Sequence, residues 1–237
     1  MSLIDPKKTL SSLGLEWIYN LPAFWRDPSD KPKTITLSSE DLNISPLQGF
    51  FDLGLTLDQH SHPIDSNHKR TKIGEMVYRF KYRFEKELSS PLANIVSEII
   101  KSNSILNSAE LILTVPPSFT SRPFDPLSIL AEKISKKIYI LYQKDILERT
   151  KITRLQKHLF DLKDKIENVK GVFRIKNPEL VKGKKILLID DIYDSGATLN
   201  ELSRILKSAG ACKVFVLTLT QTKFGWSKQK ERMDVKS

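Results

Sequence analysis

The stretch Lys184-Lys-Ile-Leu-Leu-Ile-Asp-Asp-Ile-Tyr-Asp-Ser-Gly-Ala-Thr-Leu199 decides the fold. Its apolar run, Lys185 to Ile189, reads as a strand buried on both faces. The run delivers two carboxylates, Asp190 and Asp191, at its C-terminal end, the edge of an open α/β sheet where ligands bind. The residues Asp194-Ser-Gly-Ala-Thr198 are small and stand just before a helical pattern. Small residues let backbone N–H groups approach an anion, and a helix N-terminus adds unpaired donors and a partial positive charge. A hydrogen bond to a charged group contributes about 1.5–3 kcal/mol, so several would hold a phosphate without a lysine. The two acids would repel that phosphate. They suit hydroxyl donors, such as the vicinal hydroxyls of a ribose assisted by Mg²⁺. The expected ligand of this one loop is a sugar 5-phosphate.

Three other readings fit parts of the same stretch. A nucleotide-hydrolase strand also ends in acids, but no G-x-x-x-x-G-K-[ST] occurs anywhere in the chain. A phospho-receiver domain also starts with a strand ending in two acids, but too little chain follows Asp191 for its remaining βα units. A strand followed by acidic helix caps, with no ligand, explains the acids but not the run of small residues.

Outward from this segment, short apolar runs alternate with helical patterns. Leu111 to Val115, Ile138 to Tyr142, Val172 to Ile175 and Val214 to Leu219 read as strands. Pro126 to Lys137, Leu159 to Val169 and Thr198 to Ala209 read as helices, the last ended by Gly210. Ile73, Val77, Phe80, Phe84 and Leu88 recur at helical spacing, and Pro91 opens a second helical pattern. Gly49 to Leu57 alternates weakly, as a strand or hairpin would. This predicts an α/β fold: a mostly parallel twisted sheet flanked by helices. The expected organisation is a leader or hood over 1–70, the main domain over 71–222 and a basic tail over 223–237.

Composition narrows the class. A chain of 237 residues can bury a core without staples, and 40% hydrophobic against 28% charged residues excludes wholesale disorder. The single cysteine, Cys212, excludes an internal disulfide framework and a multi-cysteine zinc site, which fits a reducing cytoplasm. No apolar run reaches the roughly 18 residues of a membrane span, and the first residues lack a secretory pattern. The formal charge of +10 suits anionic partners, from nucleotides to nucleic acid, or an ordinary solvated surface.

Residues 184–199 resemble the phosphoribosyl pyrophosphate (PRPP) signature of type I phosphoribosyltransferases. Arg79-Phe-Lys-Tyr-Arg, Val115-Pro-Pro-Ser with Arg122-Pro-Phe-Asp, and Arg149-x-Lys-x-x-x-x-Gln156 with Asn168-Val-Lys-Gly-Val-Phe173 resemble that superfamily's ComF-like branch, linked to competence and DNA uptake. Together they cover about residues 70 to 222 in order. The resemblance implies transfer of the 5-phosphoribosyl group from PRPP to a nitrogen nucleophile, with Mg²⁺ and with release of pyrophosphate. It gives Asp190 and Asp191 the ribose hydroxyls, and wraps Ser195, Gly196, Ala197 and Thr198, with Asp194, around the 5′-phosphate. Pro117, Ser118 and Arg122 would face the pyrophosphate. Arg149, Lys151 and Arg154 would lie near a mobile segment over the site. Asp194 stands where the purine-salvage branch has an acid near the base, which hints at a purine-like acceptor. The alternative is a non-catalytic or sensing accessory protein in DNA uptake or processing. Family members often pair, so a homodimer is one expectation. The family's Cys-rich zinc module is missing here, and Pro123 replaces the usual glycine after Arg122.

Other residues carry weaker signals. The sequence offers no dedicated metal-ligand set. His60 and His62 read as a surface turn. Tyr193 suits either stacking on a base or packing on the sheet edge. Cys212, opening an expected core strand, reads as buried and inert. Trp17 and Trp25 suit packing of the leader onto the sheet, and Trp226, among basic residues, suits stacking on single-stranded nucleic acid.

Overall fold

The computed structural model describes residues 16–17, 25–26, 35–64, 67–117, 124–151, 153, 159 and 161–222, with the backbone alone at 16–17, 25–26, 63–64 and 67–68. A six-stranded sheet takes the order β3 (Ser45–Pro46), β4 (Leu53–Thr56), β12 (Lys213–Gln221), β11 (Lys185–Tyr193), β7 (Leu111–Thr114), β8 (Leu141–Tyr142). All neighbours run parallel except β3 against β4. The mostly parallel sheet expected from the alternating pattern is therefore present. Among the described residues three two-stranded ribbons accompany it. They pair β1 (Glu16–Trp17) with β2 (Trp25–Arg26), β5 (Ser61–Ile64) with β6 (Asn67–Arg70), and β9 (Leu147–Arg149) with β10 (Phe173–Ile175).

Ile186 to Ile189 and Val214 to Leu217 are fully or almost fully buried, as continuous apolar runs in a two-faced sheet must be. Each such side chain contributes about 1.5–3 kcal/mol by leaving water. Among the described residues five helices cover them: α1 (Lys72–Tyr82), α2 (Ser89–Ser102), α3 (Pro126–Ile138), α4 (Leu162–Val169) and α5 (Ala197–Ser208). Right-handed crossovers sort them by face. The steps from β4 to β7 and from β7 to β8 move one way along the sheet and carry α1, α2 and α3. The steps from β8 to β11 and from β11 to β12 move the other way and carry α4 and α5. Contacts of α2 with α3, and of α4 with α5, agree.

Local chemistry explains most ends. Thr71 caps α1, accepting the Gly74 amide at 3.0 Å. Asp125 and Asp161 cap α3 and α4 in the same way, with Pro126 at the first position of α3. Gly210, at φ +89°, follows α5 as expected.

Several expectations need correction. The stripe through Phe84 and Leu88 does not continue α1. That helix stops at Tyr82, Phe84 takes φ +57°, and the chain turns so that buried Arg79 meets buried Glu85 at 2.9 Å. Ile138 does not open a strand. It closes the Leu130, Ile134, Ile138 stripe of α3, Tyr139 takes φ +60°, and only Leu141 and Tyr142 pair with β7. Cys212 is exposed, not buried: the strand begins one residue later, and the Cys212 amide donates to the Lys184 carbonyl from the preceding loop. The sheet draws on both sides of residue 70, since β3 and β4 are its strands and Leu47, Phe51 and Leu57 share its core.

Candidate active site

The strand order reverses between β11 and β7, because α5 carries the chain one way from β11 and α3 the other way from β7. Such a switch point leaves a crevice beyond the strand ends. β7 accompanies β11 only as far as Ile189, where the Val115 amide donates to the Ile189 carbonyl at 3.2 Å. Asp190 and Asp191 follow at once, backed only by β12, which continues to Tyr193 opposite Gln221.

The two acids are not equivalent. The Asp191 amide donates to Asp190 Oδ1 at 2.9 Å. Burial pushes the Asp190 carboxyl up, the Asp191 charge pushes it further, and Lys81 pulls it back, leaving it at about 8. Asp191 forms an ion pair with the Lys81 ammonium, with side chains 15% and 18% exposed. Burial opposes the charge on Lys81, but Asp191, Tyr82 and Asp190 outweigh it and hold the ammonium above its ordinary range. Behind them, Thr220 Oγ1 donates to the Asp191 carbonyl at 3.2 Å and lies 3.2 Å from His60 Nδ1. His60 is therefore half-buried at the ligand edge, while exposed His62 lies in β5; neither sits in the surface turn expected of them. Burial lowers the pKa of His60, with Arg70 and Lys81 adding to the effect against Asp191.

After the acids, Tyr193 is buried and its hydroxyl donates to the Gln48 carbonyl at 3.1 Å, so it packs instead of facing a ligand. Asp194 receives Lys165 on Oδ2 and the Thr222 hydroxyl on Oδ1 at 2.8 Å. Ser195 leads into Gly196, whose φ of +77° lets the chain double back against the Tyr193 ring; a Cβ there would lie 2.5 Å from the Tyr193 hydroxyl oxygen. Gly196 is the N-cap of α5 and offers no side chain to its amides; Ala197 N meets Ser195 Oγ at a long 3.4 Å. Asp190, Asp191, Asp194, Ser195, Gly196, Ala197 and Thr198 therefore form one continuous strand end, turn and helix start.

Pro117 is exposed just past β7, on the β7 side of the acids; Ser118 and Arg122 lie outside the described residues. So do Arg154 and Trp226, and the side chains of Trp17 and Trp25. Arg149, the last residue of β9, stacks 4.7 Å from the Phe173 ring and donates to Thr153 Oγ1 at 2.9 Å. Burial lowers its pKa while Asp190 raises it, so its charge is felt at the acid pair; Lys151 is exposed.

Lys81 and Lys165 are site residues that the motif alone does not assign. Signals existed for both: Lys81 lies in the stretch Arg79-Phe-Lys-Tyr-Arg, and Lys165 and Val169 stand four apart on the buried stripe of α4. The two lysines come from helices on opposite faces of the sheet and each engages one acid. An open groove of about 1430 Å³, lined by Phe50, Ile166, Asn200 and Arg204, begins at Ala197 and runs along α5 without including the acids. Among the described residues no three His, Cys, Asp or Glu side chains gather to hold a metal ion, and no helix is long and apolar enough to cross a membrane.

Residues 128–236 match the family described as the phosphoribosyl transferase domain. The chain is 24% identical to the DNA utilization protein YhgH of Escherichia coli strain K12 over 156 residues, covering 63% of this chain and 67% of that one. It is 26% identical to competence protein F of Haemophilus influenzae over 153 residues, covering 62% and 66%. Among solved structures, a hypoxanthine phosphoribosyltransferase of Staphylococcus aureus aligns at 14% identity over 57% of this chain and 64% of its own, with a TM-score of 0.38. Over these stretches the chain is similar to the phosphoribosyl transferase domain family and to the DNA utilization and competence proteins.

Proposed function

We propose that this protein binds PRPP and transfers its 5-phosphoribosyl group to a nitrogen nucleophile, with release of pyrophosphate. The observation that carries the reading is the uncapped turn Asp194 to Thr198, opening α5 directly after the acid pair. Its amides, met only by the long Ser195 contact at Ala197 and by no N-cap side chain, and the positive helix end suit a dianionic 5′-phosphate. The ribose hydroxyls would then donate to Asp190 and Asp191. The pyrophosphate would lie toward the Val115 to Pro117 strand end and Arg149.

The acids are hard oxygen donors of the kind Mg²⁺ takes. However, Asp191 is engaged by Lys81 and Asp190 keeps its proton near neutral pH, so the pair as built does not fit a resident ion. Mg²⁺ would come with the substrate's pyrophosphate, whose charge it would neutralise, and not with the protein. The protein's own work is positioning and charge complementarity along C1–O bond cleavage, where the ribosyl carbon gains oxocarbenium character. Asp194, set at the Thr222 side of the turn, would face the acceptor, and a purine-like base is the finer reading.

Calorimetry with the Mg²⁺ complex of PRPP tests this. Binding that weakens in Asp190→Asn/Asp191→Asn supports it; no binding, or binding indifferent to that change, refutes it. A second reading, a DNA-processing accessory that does not turn PRPP over, is favoured by the similarity to a DNA utilization protein and a competence protein. Salt-dependent DNA binding that survives the same substitutions, without pyrophosphate release from any base, would favour it.

A further inference from the structure

The acid pair already holds a cation. Lys81 is in the last turn of α1, beside the buried stripe of Ile73, Met76, Val77 and Phe80 that seats this helix against β12. The stripe fixes where Lys81 starts, and its stem reaches the strand ends. Its ammonium pairs with Asp191 Oδ2, and both side chains are largely withdrawn from water. The C-terminal carbonyls of α1 add partial negative charge at the same point, and the Tyr82 ring lies 5.5 Å from the ammonium. In such a place a charge pair is screened far less than on a surface.

We propose that Lys81 is the built-in counter-cation of the acid pair. It takes the place against Asp191 that a free divalent ion would need, so the unliganded protein keeps such ions off the pair and the carboxylates stay available to sugar hydroxyls. This rests on reading the pair as the ribose subsite and assigns Lys81 as its positioning residue. Two consequences follow from charge. A dication approaching Asp191 meets the ammonium at close range. A neutral diol does not, and its hydroxyls can donate to the oxygens that Lys81 leaves open. The arrangement would favour the sugar over the bare metal at one carboxylate pair.

The test uses Mn²⁺ alone as the probe, with the full chain and no PRPP, reading the free-ion signal by electron paramagnetic resonance. The wild type should titrate like Asp191→Asn, with no ion bound through the pair. Lys81→Met should gain one site, binding Mn²⁺ about tenfold tighter or more. Lys81→Met/Asp191→Asn should lose that gain, and Lys81→Arg, which keeps the charge, should behave as wild type. Mn²⁺ held by the wild type and released in Asp191→Asn overturns the proposal; so does a folded Lys81→Met that gains nothing. If Lys81→Met does not fold, wild type against Asp191→Asn still decides: equal titrations support the proposal, tighter wild-type binding overturns it. No outcome depends on PRPP, so a failure of the PRPP calorimetry would strike the ribose reading and leave the ion result standing.

Discussion

Asp190 should make this protein less stable as the pH rises through neutrality, and Asp190→Asn should abolish that loss. The carboxyl is pushed up to about 8 from an ordinary 3.8 by burial and by Asp191, against the pull of Lys81. Between those two values the native state keeps a proton that the unfolded chain has released. Stability from a raised acid is therefore full below the unfolded pKa, falls with increasing pH, and levels off above the folded pKa. Each pH unit inside the window is worth about 1.4 kcal/mol. From pH 6 to pH 8, with the group half-titrated at the upper end, the loss comes to about 2 kcal/mol. Asparagine keeps the shape and the Oδ1 that accepts the Asp191 amide. The variant's advantage over the wild type should widen by about 2 kcal/mol between pH 6 and pH 8. Urea unfolding of both proteins at pH 6, 7, 8 and 9 measures the difference. Subtraction removes other groups, including His60, whose lowered pKa acts in the opposite sense. Parallel stability curves would refute the reasoning, because Asp190 would then be ionised throughout.

Other perturbations follow from the same geometry. Gly196→Ala forces a side chain into φ +77° and against the Tyr193 hydroxyl, so unfolding should show a loss of about 2 kcal/mol or more, and PRPP calorimetry a weaker site. Glu85→Ala leaves the Arg79 guanidinium buried without that carboxylate and should cost about 3 kcal/mol in urea unfolding; a cost below about 1 kcal/mol would show the pair to be dispensable. Exposed Cys212 should react with an aqueous thiol reagent in the native protein nearly as fast as in the denatured one, and strong protection would contradict its position.

What was legible in the sequence was what lies close together along the chain. The strand, the acids, the small turn and the helix start from Lys185 to Ser208 are consecutive, so apolar run, turn chemistry and helical spacing name them without tertiary information. The alternation of such units fixes a parallel sheet for the same reason. Periodicity fails where a tertiary partner decides. Phe84 and Leu88 continue the stripe of α1 on paper, but the buried Arg79–Glu85 pair draws the chain out of the helix. Ile138 is apolar enough for strand or helix, and its seat in the core settles on helix. The ribbons β5–β6 and β9–β10 lie outside the main sheet; Val172 to Ile175 announces β10, whereas β5, β6 and β9 hold no run apolar enough to do so.

The site divides along the same line, and that division bears on how its chemistry is set. Everything acidic in it comes from one short segment, whereas its buried cations come from α1 and α4, on opposite faces of the sheet. A charged side chain at the margin of an apolar stripe reads as solvent-facing unless something anionic waits beyond it, and only the folded sheet brings Asp191 to Lys81 and Asp194 to Lys165. The motif therefore specifies which groups can grip a phosphorylated sugar, and the two helices set how much negative charge those groups present. A chain with the same motif but without these two lysines would carry a more acidic turn. Such a turn would bind free divalent ions more readily and repel a pyrophosphate more strongly. Two members of one family can thus share the signature and differ in whether a phosphorylated sugar or a metal ion reaches it first.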